Sequence, residues 1–303
     1  MKVVVAGLGI QGKKRTAVAG ADVAATVDPV QQDADFRKLE DVPLDRYQAV
    51  LACVPDSEKI PLLRYALSQG KHVLVEKPLL VENVDDLLEL QRCAESKRLS
   101  CYTAYNHRFE PHIVHLRGLI ASGRLGRIYS AKFFYGNGTA RDARNSAWRD
   151  QGAGVLPDLG SHLLDMVLFL FGEVAGRCKA WRADRFENRA FDRFMFGFHG
   201  DLPIDCEMSM LSYRNTFLAD VYGELGSAHI NCLCKWGPST LTIRKRVLPS
   251  GRPDEESTTV VSADPTWAAE YDYFRSLCPS GTNTLSNDRW IQARLNEILK
   301  SIS

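Results

Sequence analysis

The sequence predicts an α/β protein with two domains: a doubly wound parallel sheet, followed by an α+β domain on a large, open, mostly antiparallel sheet. Three observations support this prediction. Strand and helix patterns alternate through the first third of the chain, whereas residues 174–261 read as successive strands separated by turn signals. The length of 303 residues also exceeds the usual size of one hydrophobic core. We expect the domains to be residues 1–123 and 124–303, with the last helix able to pack back on the first domain.

The first domain has the alternation typical of a parallel sheet covered by helices. The expected strands are 3–6, 23–27, 48–53, 72–75 and 100–104. The expected helices are 10–19, 57–69, 83–98 and 109–122. Residues 29–46 are short and irregular, so we expect no full crossover helix between the second and third strands.

The pattern changes after Gly126. We expect a strand at 127–135, a polar loop with glycines at 139–154, and a strongly apolar helix from Asp158 to Phe171. The strands expected next are about 174–183, 191–199, 204–212, 216–223, 227–233, 239–247 and 257–261, and the closing helices are 265–278 and 287–301.

Composition excludes several classes of partner. The net charge of +1 favours neither nucleic acid nor an anionic membrane, and no apolar run reaches the length of a membrane span. The eight cysteines include no C-x-x-C pair, so we expect no structural zinc and a reducing compartment. Because the chain starts directly with a strand and shows no signal peptide, we expect a cytoplasmic protein.

A glycine-rich turn follows the first strand. Gly7, Gly9 and Gly12 form G-x-G-x-x-G between a strand and a helix, the context that this motif requires in a Rossmann dinucleotide-binding fold. Gly7 permits the tight turn, Gly9 lets the backbone approach a pyrophosphate, and Gly12 lets helix and strand pack closely. Ile10 and Gln11 open the helix whose N-terminus would receive the pyrophosphate.

Asp28 ends the second strand, twenty-one residues beyond Gly7. A carboxylate at this place can accept hydrogen bonds from the adenosine ribose and would repel a 2′-phosphate. Pro29 and Val30 follow it and supply no cation, so NAD is favoured over NADP. Residues 13–15, Lys-Lys-Arg, leave an alternative open, because they could bring positive charge to the phosphates or simply form a solvated helical turn.

A lysine stands at the end of the fourth strand. The apolar strand at 72–75 runs into Glu76 and Lys77 and is stopped by Pro78. Because ligands of open α/β sheets bind outside the carboxyl ends of the strands, Lys77 is expected to point at a cofactor or substrate. Residues 54–56 reach the same edge at the end of the third strand. The alternative is a surface lysine beside a turn proline.

A carboxylate and an imidazole lie on the apolar helix of the second domain. Asp158 and His162 are i and i+4, so we expect them on one helical face. Such groups suit proton transfer, since oxidation of an alcohol needs a base for the hydroxyl proton. The alternative is a core histidine with a satisfied ring. No third ligand has a suitable spacing, so we expect no metal site.

Together these residues resemble the Gfo/Idh/MocA family (glucose–fructose oxidoreductase, inositol 2-dehydrogenase, rhizopine catabolism). The resemblance rests on six stretches that follow the family's order: Gly7 to Gly12, Ala52 to Pro55, Glu76 to Pro78, Asn106 to Phe109, Trp148-Arg149, and Gly154-Val-Leu-x-Asp158-x-Gly-x-His162-x-x-Asp165.

The resemblance implies an NAD-dependent oxidoreductase with an N-terminal Rossmann domain and a C-terminal domain for substrate binding and oligomerisation. It implies that Lys77, Asp158 and His162 are catalytic. The implied cofactor-binding residues are Gly7, Gly9, Ile10, Gln11, Gly12, Asp28, Cys53, Val54, Pro55, Glu76, Lys77, Asn106 and Arg108. The implied substrate-binding residues are Lys77, Asn106, Trp148, Arg149, Asp158 and His162.

Some residues depart from the family's pattern. The usual Gly-Gly-Gly before the apolar helix is Gly152-Ala153-Gly154, and Arg15 stands where members often carry histidine. The short segment 29–46 could weaken the adenine pocket.

The leading functional hypothesis is hydride transfer between NAD and a secondary alcohol or ketone of a sugar, cyclitol or sugar derivative. The alternatives are an NAD-dependent glycosidase that oxidises its substrate transiently, and a non-catalytic NAD-binding sensor. Retention of Lys77 with His162 argues against the sensor. Apolar residues at 194–198, expected on both faces of the sheet, predict a homodimer or homotetramer through its outer face.

Overall fold

The computed structural model describes residues 1–146 and 149–302. The chain divides into two compact units. The first unit comprises Met1–Asn106 and Thr266–Gln292, and the second comprises His107–Pro265 and Ala293–Ser303.

The elements follow the expected order, with ends shifted by a few residues, but a short helix at Ala140–Arg144 lies where the sequence predicted only a loop. The strands are β1 (Val3–Ala6), β2 (Val23–Val27), β3 (Ala49–Ala52), β4 (His72–Glu76), β5 (Cys101–Ala104), β6 (Ile128–Gly136), β7 (Arg177–Asp184), β8 (Arg193–His199), β9 (Ile204–Ser209), β10 (Thr216–Gly223), β11 (Gly226–Asn231), β12 (Ser239–Lys245) and β13 (Glu255–Val260). The α-helices are α1 (Ile10–Ala19), α2 (Asp56–Ser68), α3 (Val84–Lys97), α4 (Pro111–Ala121), α5 (Ala140–Arg144), α6 (Ser161–Phe171), α7 (Thr266–Leu277) and α8 (Leu285–Lys300).

The first unit is built on a five-stranded parallel sheet in the order β2-β1-β3-β4-β5. All residues of β1, β3 and β5 are buried, as expected for a parallel sheet with both faces covered. Helix α1 packs against α7, and α2 packs against α3. The chain runs outward from β1 to β2 and then returns to β3, so the strand order reverses between β1 and β3, the point at which such sheets bind ligands. This confirms the doubly wound fold.

The segment between β2 and β3 is short, as expected. Over its fully described length it forms two 3-10 turns, Leu39–Asp41 and Leu44–Arg46, and no α-helix. A parallel bridge between Val27 and Phe36 keeps the segment close to the end of β2.

The second unit is built on an eight-stranded sheet in the order β13-β12-β11-β10-β6-β9-β8-β7. Neighbouring strands are antiparallel except for β6 and β9, which are parallel. A parallel pair needs a long connection, and α6, β7 and β8 provide it. The sheet is therefore mostly antiparallel, as the sequence predicted.

Apolar residues lie on both faces of β8 at 194–198, as expected, and the phenylalanines all lie on one of them. Phe194, Phe196 and Phe198 share one face because side chains alternate along a strand, and all three are buried. Met195 and Gly197 occupy the other face, where the indole of Trp181 lies so close to Gly197 that a Cβ there would overlap it.

The first unit ends earlier than residue 123, where the sequence placed the boundary. Helix α4 packs against α6, β11 and β12, and its Ile113 and Leu116 are fully buried. These contacts attach the segment after Asn106 to the second unit. Residues 266–292, which the sequence assigned to the second domain, belong to the first unit, partly because α7 packs on α1.

The apolar helix of the second unit begins with a π-helical turn. Residues Leu156–Gly160 form this turn, and α6 starts only at Ser161. The regular i, i+4 relation expected between Asp158 and His162 is therefore interrupted, since Asp158 precedes the α-helix. Turns of this type often occur at functional sites because they redirect side chains.

None of the helices in the described part of the chain has the length and apolar character needed to cross a membrane.

Candidate functional site

The glycine turn of the first unit has the shape that a dinucleotide requires. Gly7 has φ +89°, and a Cβ there would overlap the carbonyl oxygen of Cys53. A Cβ on Gly12 would overlap the carbonyl oxygen of Gly7. A Cβ on Gly9, in contrast, would meet nothing within 4 Å. Gly7 and Gly12 are thus needed for packing, whereas Gly9 leaves open space beside the backbone for a ligand.

Helix α1 begins directly at this open space. Gly9 is its N-cap and has no side chain with which to satisfy the first N–H groups. These N–H groups have no partners within the helix and carry the positive end of its dipole, so they suit a pyrophosphate. Ile10, the first residue of the helix, is 78% exposed. The residues present therefore fit the phosphates of a dinucleotide.

Asp28 is held by backbone donors at the end of β2. Its Oδ2 accepts from the N–H of Leu8 at 2.7 Å, and its Oδ1 accepts from Val30 and Gln31 at 2.8 and 2.9 Å. Burial disfavours the charged form, but these donors and the charge of Arg37 outweigh it and hold the pKa of Asp28 below its usual range. Asp28 is therefore an anion that also ties the glycine turn to the second strand.

Arg37 supplies the cation that sequence reasoning did not find near Asp28. Its Nη1 donates to the carbonyl oxygens of Gln31 at 2.6 Å and Asp28 at 3.3 Å. The sequence pattern does not show that Arg37 is near Asp28, because Arg37 lies in the irregular segment, nine positions along the chain. An arginine near this carboxylate is the feature that can accommodate a 2′-phosphate.

Arg15 is buried. For this residue, both alternatives considered from the sequence, a charge near the phosphates and a solvated helical turn, are therefore excluded. Its side chain is 1% exposed, so it is neither solvated nor available to the phosphates. Its Nε donates to Glu76 at 2.7 Å, its Nη2 donates to Glu270 at 2.6 Å, and its guanidinium lies 4.2 Å from the ring centroid of Trp267. Arg15 therefore fixes Glu76, the residue that precedes Lys77.

Lys77 follows the last residue of β4 and is partly buried. The next peptide bond, Lys77–Pro78, is cis. The carbonyl oxygen of Pro78 accepts from Nζ of Lys59 at 2.7 Å. Lys59, which the sequence did not single out, is 3% exposed and also pairs with Asp56 at 2.7 Å.

Other residues expected at the cofactor lie at the same edge of the first sheet. Cys53, Val54 and Pro55 connect the end of β3 to α2. Burial, with a contribution from Glu76, raises the pKa of the Cys53 thiol, so it stays uncharged. Asn106 follows β5, is 8% exposed, and donates from Nδ2 to Oγ1 of Thr266 at 2.7 Å.

In the second unit, Asp158 and His162 lie beside an aromatic group that the sequence did not predict. His107 stacks on His162 with the ring centroids 4.2 Å apart and the planes at 17°. Tyr135 meets His162 edge to face at 5.8 Å. His162 is 6% exposed and His107 is 2% exposed. His107 was present in the family-like stretch at 106–109, but the sequence gave no indication that its ring would meet His162.

The carboxylate of Asp158 has a cation beside it. Nη2 of Arg149 donates to its Oδ2 at 3.2 Å. Burial raises the pKa of Tyr135, and the negative charge of Asp158 adds to this effect, so the phenol stays protonated. Tyr135 is therefore a hydrogen-bond donor close to Asp158 and His162.

Arg108, expected at the cofactor, is engaged within the second unit. Its Nε donates to Oδ1 and Oδ2 of Asp165 at 2.9 and 2.8 Å. Burial raises the pKa of Asp165, and the charge of Arg108 partly offsets this. The pair ties Arg108 to α6 within the second unit. Trp148, expected at the substrate, lies outside the described residues.

Within residues 1–146 and 149–302, no group of three His, Cys, Asp or Glu side chains is placed to hold a metal ion.

Comparison with known proteins identifies both units. Residues 1–105 match the model of the Gfo/Idh/MocA oxidoreductase family, NAD-binding Rossmann fold, and residues 113–229 match a Gfo/Idh/MocA C-terminal domain. Glucose-6-phosphate 3-dehydrogenase of Bacillus subtilis is 27% identical over 169 residues, which are 51% of this chain and 48% of that protein. Trans-1,2-dihydrobenzene-1,2-diol dehydrogenase of Bos taurus is 28% identical over 241 residues, 73% of this chain and 69% of that protein.

The structural comparison shows the fold over nearly the whole chain. Levoglucosan dehydrogenase in complex with NADH superposes with a TM-score of 0.85 at 17% identity, covering 99% of this chain and 96% of that one. The sequence matches are shorter, and they span between 34% and 53% of the length of five curated relatives. Since the two family models match both units in chain order, the chain belongs to the Gfo/Idh/MocA family of oxidoreductases.

Proposed function

We propose that this protein is an NAD-dependent dehydrogenase that transfers a hydride between the nicotinamide and a secondary alcohol or ketone of a sugar, cyclitol or sugar derivative. The observation that supports it most is Lys77, placed after β4 at the ligand-binding edge of a sheet whose glycine turn is open at Gly9. Relatives named for glucose 6-phosphate, levoglucosan, scyllo-inositol and a dihydrobenzene diol support a ring hydroxyl as the reacting group.

The bound nicotinamide would supply the hydride acceptor or donor. The reaction also requires a group that accepts the hydroxyl proton, and we assign this role to Lys77 and His162. Asp158, beside Arg149, orients or polarises the substrate and the imidazole. Tyr135 and His107 restrict the ring of His162, and Asn106 with Arg149 completes the proposed substrate contacts.

The proposed cofactor preference is NAD, because the charged carboxylate of Asp28 would repel a 2′-phosphate. Arg37 opposes this preference, since its guanidinium lies beside the carbonyl oxygen of Asp28. We therefore expect NAD to be preferred with measurable activity on NADP.

The test is a panel of sugars, sugar phosphates, cyclitols and polyols, each incubated with NAD or NADP while the absorbance of the reduced cofactor is followed. Stoichiometric reduction of NAD with one class of ring alcohol is the expected result. Substrate cleavage without net NADH would instead indicate the glycosidase. Binding of NADH with no turnover of any alcohol or corresponding ketone would indicate a sensor, and either outcome would overturn the proposal.

A further inference from the structure

The two chain neighbours of Lys77 are each held by a different buried cation. Arg15 holds the side chain of Glu76 at 2.7 Å, and Lys59 holds the carbonyl oxygen of Pro78 at 2.7 Å. The exposures of the two cations, 1% and 3%, are unusually small for these residue types. They arrive from separate helices, α1 and α2.

The first contact is part of a larger buried group. Arg15 also pairs with Glu270, a fully buried residue of α7, at 2.6 Å. Burial raises the pKa of Glu270 to about 7, although Arg15 works against this. Arg15 thus joins two carboxylates, and its removal would leave both in a poorly solvated place. Because α7 holds Glu270 and Trp267 stacks on the guanidinium, Arg15 is itself rigidly placed.

The second contact involves an ammonium group that burial disfavours. Burial lowers the pKa of Lys59, and the charge of Asp56 opposes this. A buried lysine is costly unless its ammonium group is paired, and here Asp56 and the carbonyl oxygen of Pro78 pair it. Its Nζ hydrogen-bonds to backbone at the end of β4, where a proton-transfer group requires fixed geometry.

We propose that Arg15 and Lys59 are positioning residues that fix the backbone on both sides of Lys77 and thereby the direction of its ammonium group. The proposal rests on the proposed function, in which Lys77 takes part in proton transfer. A misplacement of about 1 Å at a reacting group can cost roughly a hundredfold in rate, so loss of either contact should lower turnover. Neither contact touches the glycine turn or Asp28, where the pyrophosphate and ribose are expected, so the affinity for NADH should change much less than turnover.

The test compares Lys59→Met and Arg15→Lys with two matched controls. Lys71→Met removes a lysine whose Nζ also donates to backbone carbonyl oxygens, those of Leu44 and Tyr47, but just before the other end of β4. Arg64→Lys alters an exposed arginine that also bridges two carboxylates, Asp86 and Glu89. Both test variants should lower kcat by about 10- to 100-fold with the dissociation constant of NADH changed by less than about threefold. Both controls should retain kcat.

A double-mutant cycle separates positioning from general stability. In a Lys77→Ala background, Lys59→Met and Arg15→Lys should cause no further loss of kcat, because they act through a side chain that is gone. If Lys59→Met does not fold, the double-mutant cycle of Arg15→Lys with Lys77→Ala tests the proposal by itself. Normal kcat in both single variants, or full additive losses on Lys77→Ala, would overturn the positioning role. Normal turnover in Lys77→Ala alone would instead refute the catalytic assignment of Lys77.

Discussion

His107 and His162 stack with nearly parallel rings 4.2 Å apart, although they come from different elements of the second unit. His107 lies in the turn after β5, and His162 is the second residue of α6. Tyr135 meets the same imidazole edge to face at 5.8 Å. The ring of His162 is therefore confined by two aromatic neighbours, of which His107 packs parallel to it.

The first prediction follows from this pairing. Substitution of His107 by Phe keeps an aromatic ring against His162, whereas His107→Ala removes this support. We expect His107→Ala to lower kcat roughly 10- to 100-fold, because the ring of His162 would no longer be fixed. His107→Phe should retain most of kcat, because its ring keeps the stacking contact with His162. Steady-state kinetics would measure kcat of both variants, and equal kcat in the two would argue against a supporting role for the ring.

The second prediction concerns the proposed proton-transfer groups themselves. Lys77→Ala and His162→Ala should each lower kcat by about 10²–10⁴-fold, the usual contribution of a general acid or base. NADH affinity, measured by fluorescence titration, should change far less, since neither residue is assigned to the pyrophosphate or ribose. Near-normal turnover in both variants would show that the proton leaves by another route.

The features that the sequence predicted are local, and those it missed depend on distant residues. The glycine turn, Asp28 and Lys77 are recognisable because each needs only a strand and the residues that follow it. The burial of Arg15 depends on Glu270, which lies 255 positions away, and no local pattern reports such a partner. Asp158 was placed on an α-helix because the sequence pattern does not distinguish an α-helical turn from the π-helical turn that is present.

The third prediction concerns the cofactor. Arg37→Ala should increase the ratio of kcat/KM for NAD over NADP, because it removes the cation beside Asp28 while leaving the three backbone donors to that carboxylate in place. Asp28→Ser should narrow the ratio, since it removes the anion that repels a 2′-phosphate. The ratios would be measured at one ionic strength for all variants. A clear NADP preference of the unaltered protein would contradict the assignment.

The fourth prediction is a pH dependence of stability that comes from Glu270. Its pKa is raised from 4.5 to about 7 in the folded protein, so between these values the folded state binds more protons than the unfolded state. The free energy of unfolding should therefore decrease as pH rises from about 4.5 to 7, and this contribution should level off above that range. Urea denaturation at several pH values would measure it. Glu270→Gln should show a flatter profile, whereas an unchanged slope would assign the dependence to other groups.

The last prediction is self-association through the outer face of the eight-stranded sheet. Although the phenylalanines of β8 point inward, Leu218 and Tyr222 of β10 are each 39% exposed on the outer face, and Trp181 of β7 is 57% exposed. Apolar residues on a broad, open sheet surface favour association, and symmetric dimers are the commonest result. Light scattering at micromolar concentration should give the mass of a dimer or tetramer.

The double substitution of Leu218 and Tyr222 by Glu should shift the measured mass towards that of the monomer. Val114→Glu, at an exposed position of α4, should leave the mass unchanged. A monomeric mass for the unaltered protein would refute the prediction of self-association.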